Sequence, residues 1–168
     1  MVPSNMVGNS SINSSNTSTS KNSIKTVVLC GSFKFYKEME VVASPLRKAG
    51  FEVIVPFPSH IRHGHKPELL KNKKYDKTTL TRWEGEGALL HLENIRKADI
   101  VYFFNKGAYL GPAVTVEIGF SLALGKHMIS KTKIKDITVT NFIKAVVPSS
   151  KLLKYIKESE KEKERKRV

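Results

Sequence analysis

"DIVYFFNKGAYLGPAVTVEIGFSLALGKHMIS", residues 99–130, decides the fold. DIVYFFN has the length and the β-branched, aromatic content of a buried strand. KGAYLG is a turn. Pro112 then stands at the first position of a helix, where its missing N–H costs nothing and its fixed φ suits the first turn. The helix continues to Lys126 through side chains that are nearly all small or apolar. HMIS follows as another strand. Glu117, midway along the helix, is the one carboxylate in that run.

Upstream the same alternation repeats. IKTVVLC (24–30) reads as a buried strand. FYKEMEVVASPLRKAG reads as a helix ending at Gly50, with Pro45 marking a kink or a weak point. FEVIVP is a second strand. SHIRHGHKPELLKNKKYDKTT is a long polar loop, and RWEGEGALLHLENIRKA is a helix in spite of two early glycines. Downstream, FIKAVV is a further strand, and the short run DITVT before it has no clear assignment. A last helix follows PSS, with Leu152, Leu153 and Ile156 as its apolar face.

Strands alternating with helices predict an α/β, flavodoxin-like three-layer fold, with a parallel sheet of about five strands covered on both faces. Ligands in such folds sit at the carboxyl ends of the strands where the strand order reverses, between the first and third strands. The loops there are GSFKFY and NKGAYLGP, so the helix of Glu117 is expected beside the Gly31–Ser32 turn.

The chain has 168 residues, 40% of them hydrophobic, which suits one domain with tails. Residues 1–22 are rich in Ser, Asn and Thr and are expected to be a disordered tail. Residues 23–158 form the expected domain, and 159–168 a charged tail. The formal net charge of +14 favours an anionic partner. Cys30 is the only cysteine, so no internal disulfide can form, and a reducing cytoplasm is the simplest setting. No apolar run reaches the roughly 18 to 20 residues of a membrane span, and the N-terminus lacks the apolar segment of a signal peptide.

A carboxylate on a helix packed against a sheet must be paired, protonated or placed at a site, because burying an unpaired ion is costly. For Glu117 the plain alternative is a pair with a lysine such as Lys126, or a position facing solvent. The turn CGSFKF offers free N–H groups, the Ser32 hydroxyl and the Lys34 charge to an anion. Its plain alternative is an ordinary strand-to-helix turn capped by Ser32. His60, His63 and His65 cluster in the polar loop, but no nearby acid or cysteine completes a metal set. Neither a metal nor a cofactor is expected. Trp83 and Tyr109 are single aromatics able to stack on a base or simply to pack. Cys30 reads as a small buried residue, and His91 as a histidine on the helix before the third strand.

GSFKFY together with LENIRKADIVYFFNKGAYLGPAVTVEIGFSLALGK resembles the nucleoside 2-deoxyribosyltransferase-like family over roughly residues 24 to 130. That family includes transferases that exchange bases on deoxyribose and hydrolases that cut the N-glycosidic bond of nucleoside 5′-monophosphates. The resemblance implies a flavodoxin-like fold and a glutamate nucleophile at Glu117. It implies sugar or 5′-phosphate contacts at Gly31, Ser32 and Lys34, with Asn105, Tyr109 and Gly111 from the second loop. His91 stands where the family's best-known enzymes carry an aspartate, and Gly111 where they carry Asp or Ser. His91 is then expected to protonate the departing base or to hold the sugar, since an imidazole can donate near neutral pH. Val114, Phe120 and Trp83 are the expected apolar walls. A nucleoside or nucleotide substrate and a homo-oligomer follow from the resemblance. Two other classes stand beside this one: a non-catalytic nucleotide-binding module, and a basic nucleic-acid-binding protein, the latter disfavoured because no recognition motif accompanies the charge.

Overall fold

Side-chain parity along the first strand builds two cores. In β1 (Thr26–Cys30), Val27 and Leu29 point to one face of the sheet, and Val28 and Cys30 to the other. The computed structural model describes residues 24–57 and 77–166. Its sheet continues with β2 (Glu52–Ile54), β3 (Ile100–Phe103), β4 (His127–Ser130) and β5 (Ala145–Val146), all paired in parallel in the order β2-β1-β3-β4-β5. That is the flavodoxin-like order, with its reversal between β1 and β3. Strands buried on both faces read as continuous apolar runs, and β1 and β3 are buried along their whole length.

On the face of Val27 and Leu29 lie α1 (Tyr36–Lys48), through Met39, Val42 and Leu46, and the last helix α5 (Leu152–Arg165), through Leu152 and Ile156. On the face of Val28 and Cys30 lie α2 (Lys77–Lys97), through Ile95, and α3 (Pro112–Ala123), through Val114 and Ile118. The run DITVT holds a short helix, α4 (Ile137–Thr140), because the Asp136 carboxylate accepts from the N–H groups of Thr138 and Val139.

Three expectations shift. Pro45 does not break α1: it is exposed in the last turn, and the carbonyl that its ring leaves without a donor belongs to Val41, which is 73% exposed. Lys77, Thr78 and Thr79, expected in the polar loop, already belong to α2. The expected break at residue 158 is not a break in the helix. α5 runs to Arg165, and Glu160 within it accepts a hydrogen bond from the Ile24 N–H at 3.0 Å. The tail at 1–22 and the histidines 60, 63 and 65 lie outside the described residues. Among the described residues no helix is long and apolar enough to cross a membrane.

Polar side chains fix the ends of the strands. Asp99 accepts from the N–H groups of Lys25 and Thr26 at 2.8 and 2.9 Å, which ties the start of β1 to that of β3. Lys126 donates to the carbonyls of Arg96 and Ala98, closing the end of α2. It is therefore not the partner of Glu117. Asn105, buried just after β3, donates to the Thr132 carbonyl at 2.8 Å and accepts from the Thr132 N–H at 2.9 Å. Both ends of its amide are thus committed to holding the loop after β4 against that after β3. Asn105→Ala leaves the Thr132 N–H unpaired, while the Thr132 carbonyl keeps the Ser130 hydroxyl as donor at 2.9 Å, and should lower unfolding stability by about 1–3 kcal/mol. Chemical denaturation measures this, and an unchanged midpoint contradicts the clamp.

Candidate active site

The parity of β1 decides which residues meet. Cys30, its last residue, faces the α2 and α3 layer. His91 comes down from α2 and Glu117 across from α3. The Cys30 Sγ lies 3.4 Å from His91 Nε2, and His91 Nε2 lies 3.8 Å from Glu117 Oε1. Cys30 and His91 are buried, and the Glu117 side chain is 12% exposed. Glu117 Oε2 is shut off from solvent and has no hydrogen-bond partner among the described residues.

Desolvation governs the charge of all three. Burial pushes the Glu117 carboxyl up from 4.5 to about 7, against a smaller opposing effect of the Cys30 thiol. Burial pushes His91 down from 6.5 to about 4, although a hydrogen bond with the Leu29 backbone acts the other way. Burial, and then the charge of Glu117, raise the Cys30 thiol well above its ordinary value. At 3.8 Å His91 and Glu117 are close enough to be an ion pair. Burial works against that pair, because it disfavours the charged form of both the ring and the carboxyl. Burial thus weighs against the expectation that His91 titrates near neutral pH as a proton donor.

A cavity of about 480 Å³ opens beside this cluster. His91 and Glu117 line it with Phe33 from the first turn, Ile54 to Phe57 at the end of β2, Leu90 and Asn94 of α2, and Ala113 of α3. Gly85 and Gly87 of α2 line it too, and a Cβ at Gly85 would meet nothing within 4 Å. The wall therefore stands back at Gly85, the first of the two early glycines of the helix. They and the run FEVIVPF were the legible signals of this cavity.

The other expected site residues divide. Gly31 is required by packing: a Cβ there would stand 2.9 Å from the Met39 Sδ and 3.2 Å from the Phe104 carbonyl oxygen. Ser32 precedes a turn of 3₁₀ helix (Phe33–Phe35) and makes no side-chain cap. Lys34 sits with its Nζ 3.6 Å above the Tyr109 ring, so these two meet each other. Gly111 is buried at the N-cap of α3, with the Tyr109 hydroxyl 3.2 Å from where a Cβ would lie. Asn105 is held by Thr132. None of these six is among the described residues lining the cavity, whereas Phe33 is. Val114 packs in the core, and Phe120 lies against that core with Arg96 over its ring. Neither they nor Trp83 belong to the described cavity wall.

No family model and no curated protein sequence matches the chain. Solved structures do. A conserved protein from Enterococcus faecalis V583 is similar at a TM-score of 0.56 and 14% identity, over 82% of this chain and 99% of that one. The likeness is one of fold. A 2-deoxyribosyltransferase from the psychrotolerant bacterium Bacillus psychrosaccharolyticus matches over 77% of this chain and 91% of its own, at 20% identity and a TM-score of 0.49.

The raised Glu117 carboxyl has a consequence for stability. Its contribution is fully present below about pH 4.5 and is lost as pH rises through about 7, since the unfolded carboxyl ionises first. His91 works in the opposite sense: its contribution is present above about pH 6.5 and is lost as pH falls through about 4. Glu117→Gln removes only the first effect. Its stability relative to the wild type should grow by on the order of 2–3 kcal/mol between pH 5 and pH 8. Denaturation of both proteins at the two pH values measures this, and a constant difference shows that Glu117 is not desolvated.

Proposed function

We propose that this chain cleaves or transfers the N-glycosidic bond of a nucleoside, with Glu117 as the nucleophile. One observation carries the reading: a desolvated carboxylate without a cationic partner among the described residues stands in the wall of an apolar cavity of ligand size. The resemblance of residues 92–126 to the nucleoside 2-deoxyribosyltransferase-like motif supports it, since the glutamate of that motif falls on Glu117.

The chemistry follows that of retaining glycosidases. The ionised carboxylate attacks C1′ as the bond to the base breaks, through a transition state with oxocarbenium character, and forms a glycosyl ester. Water then gives hydrolysis, and a second base gives transfer. Phe33, Pro56, Phe57 and Leu90 supply apolar surface for a base and limit water at the reacting carbon. His91, neutral at working pH, borders the same space and can hydrogen-bond a base or sugar hydroxyl as donor or acceptor according to its tautomer.

The charge of the described wall suits an uncharged nucleoside better than its 5′-monophosphate. No lysine or arginine is among the described lining residues, and Lys34 is engaged with Tyr109. Lys34→Ala should therefore change KM for nucleoside and monophosphate by the same factor. A loss confined to the monophosphate restores Lys34 as a phosphate ligand.

Release of free base from a panel of nucleosides, separated by chromatography, tests the main reading. Glu117→Gln should fold, bind and lose turnover by about a thousandfold or more, as removal of a nucleophile does. Wild-type kcat/KM should rise tenfold per pH unit up to about pH 7 and then level off, because only the ionised carboxylate attacks. Ligand binding with no base release from the wild type supports the non-catalytic binding module instead.

A further inference from the structure

Cys30, His91 and Glu117 place a thiol, an imidazole and a carboxylate with one donor atom of each within 4.8 Å of the others. They come from β1, α2 and α3, so only the folded chain assembles them. Sulfur, nitrogen and oxygen together are the donor set of borderline-soft cations, and Mg²⁺ and Ca²⁺ take oxygen instead.

The spacing suits a tetrahedral ion. Bonds of roughly 2.3 Å to sulfur and 2.0–2.2 Å to nitrogen and oxygen put neighbouring donors roughly 3.3–3.6 Å apart. The Sγ to Nε2 separation is 3.4 Å and the Nε2 to Oε1 separation is 3.8 Å, so these two edges close with a few tenths of an ångström, and the third, from sulfur to carboxylate, lies within 4.8 Å and closes with a side-chain shift of up to about an ångström. Glu117 Oε2 adds a buried acceptor that no described residue satisfies. The charges also balance. A divalent ion with one thiolate, one carboxylate and a neutral imidazole is neutral as a unit, and a neutral unit is what a desolvated site tolerates. His91 and Glu117 both border the cavity, which provides an entry path and room for a fourth ligand such as water.

We propose that Cys30, His91 and Glu117 form a site for a single borderline-soft divalent cation of the Zn²⁺ kind, open towards the cavity. On binding, the Sγ–H bond breaks, the sulfur keeps the electron pair and bonds the ion, and the proton leaves to solvent. A proton resident on Glu117 leaves in the same way. The cation site stands on geometry alone. Its effect on turnover rests on the reading of Glu117 as nucleophile: a carboxylate bonded to the ion cannot attack C1′, so the loaded protein is silent.

The test uses the full chain in a phosphine reductant, which does not compete for the metal as a dithiol does. Co²⁺ is the spectroscopic probe, and Zn²⁺ affinity is measured by competition with a chromophoric chelator. One equivalent of Co²⁺ should give a near-ultraviolet thiolate-to-cobalt band together with the strong visible bands of four-coordinate cobalt. The thiolate band should vanish in Cys30→Ser. Zn²⁺ affinity should fall by at least about a hundredfold in Cys30→Ser, His91→Ala and Glu117→Gln, more than loss of an outer-shell group costs. Glu117→Gln keeps the test independent of folding, because it preserves the shape of the side chain and removes only its charge. Replacing His60, His63 and His65 together with alanine should leave the thiolate band in place. Absence of that band from the wild type at saturating Co²⁺ overturns the site, as does Zn²⁺ affinity unchanged in both Cys30→Ser and Glu117→Gln.

Base release is the separate readout. It should stop at saturating Zn²⁺ and return on chelation. Undiminished release with the ion bound overturns the silencing. No release from any nucleoside, with the thiolate band intact, leaves the cation site standing and removes the nucleophile.

Discussion

Desolvation of one carboxylate is the constraint on which the rest of this structure turns. Glu117 stands on a helix pressed against the sheet, and none of the described lysines or arginines answers its charge. Holding it ionised at neutral pH works against folding by on the order of 3 kcal/mol, a sizeable share of what a domain of this size has in reserve. The offset comes from the two apolar layers around the sheet, with Val27, Leu29, Ile100 and Tyr102 on one side and Val28, Val101, Phe103 and Ile118 on the other. Groups that weaken a fold while lining a cavity are what chemistry at a site requires, since stability alone would have selected an apolar residue there.

The strands were legible because they are short apolar runs bounded by turn residues. VVLC, EVI, IVYF and HMIS fall where sequence periodicity puts them, and their alternation with helices fixes a parallel sheet. Helix ends were less so. α2 begins within a run that reads as polar loop, and α5 continues through a stretch of mixed charge because Leu152 and Ile156 anchor it and Glu160 reaches Ile24. The short β5 is only two residues of the FIKAVV run, since Phe142 and Ile143 turn into the α2 and α3 core.

The site was legible in its centre and not in its surroundings. Glu117 stands out in the sequence as the one acid in an apolar helix. Loop residues of plausible chemistry did not all reach the cavity, because each had a nearer partner: Asn105 the Thr132 backbone, Lys34 the Tyr109 ring, Gly31 the tight approach of Met39 and Phe104. Cys30 carried the opposite lesson. A lone buried cysteine says little as a letter, yet its parity in β1 puts its sulfur beside His91. That contact spans 61 positions of chain and follows from strand parity and helix packing jointly.

The chemistry assigned to Glu117 leaves a covalent mark. A nucleoside bearing fluorine at C2′ destabilises the oxocarbenium-like transition states of both steps, and with a good leaving base it accumulates the glycosyl ester. Mass spectrometry of the intact protein, followed by peptide mapping, reads that ester directly. One adduct of the sugar's mass on the peptide that carries Glu117, absent from Glu117→Gln, is the predicted result. Base released from an unfluorinated nucleoside with no such adduct from its fluorinated analogue, or an adduct on another residue, contradicts Glu117 as the nucleophile.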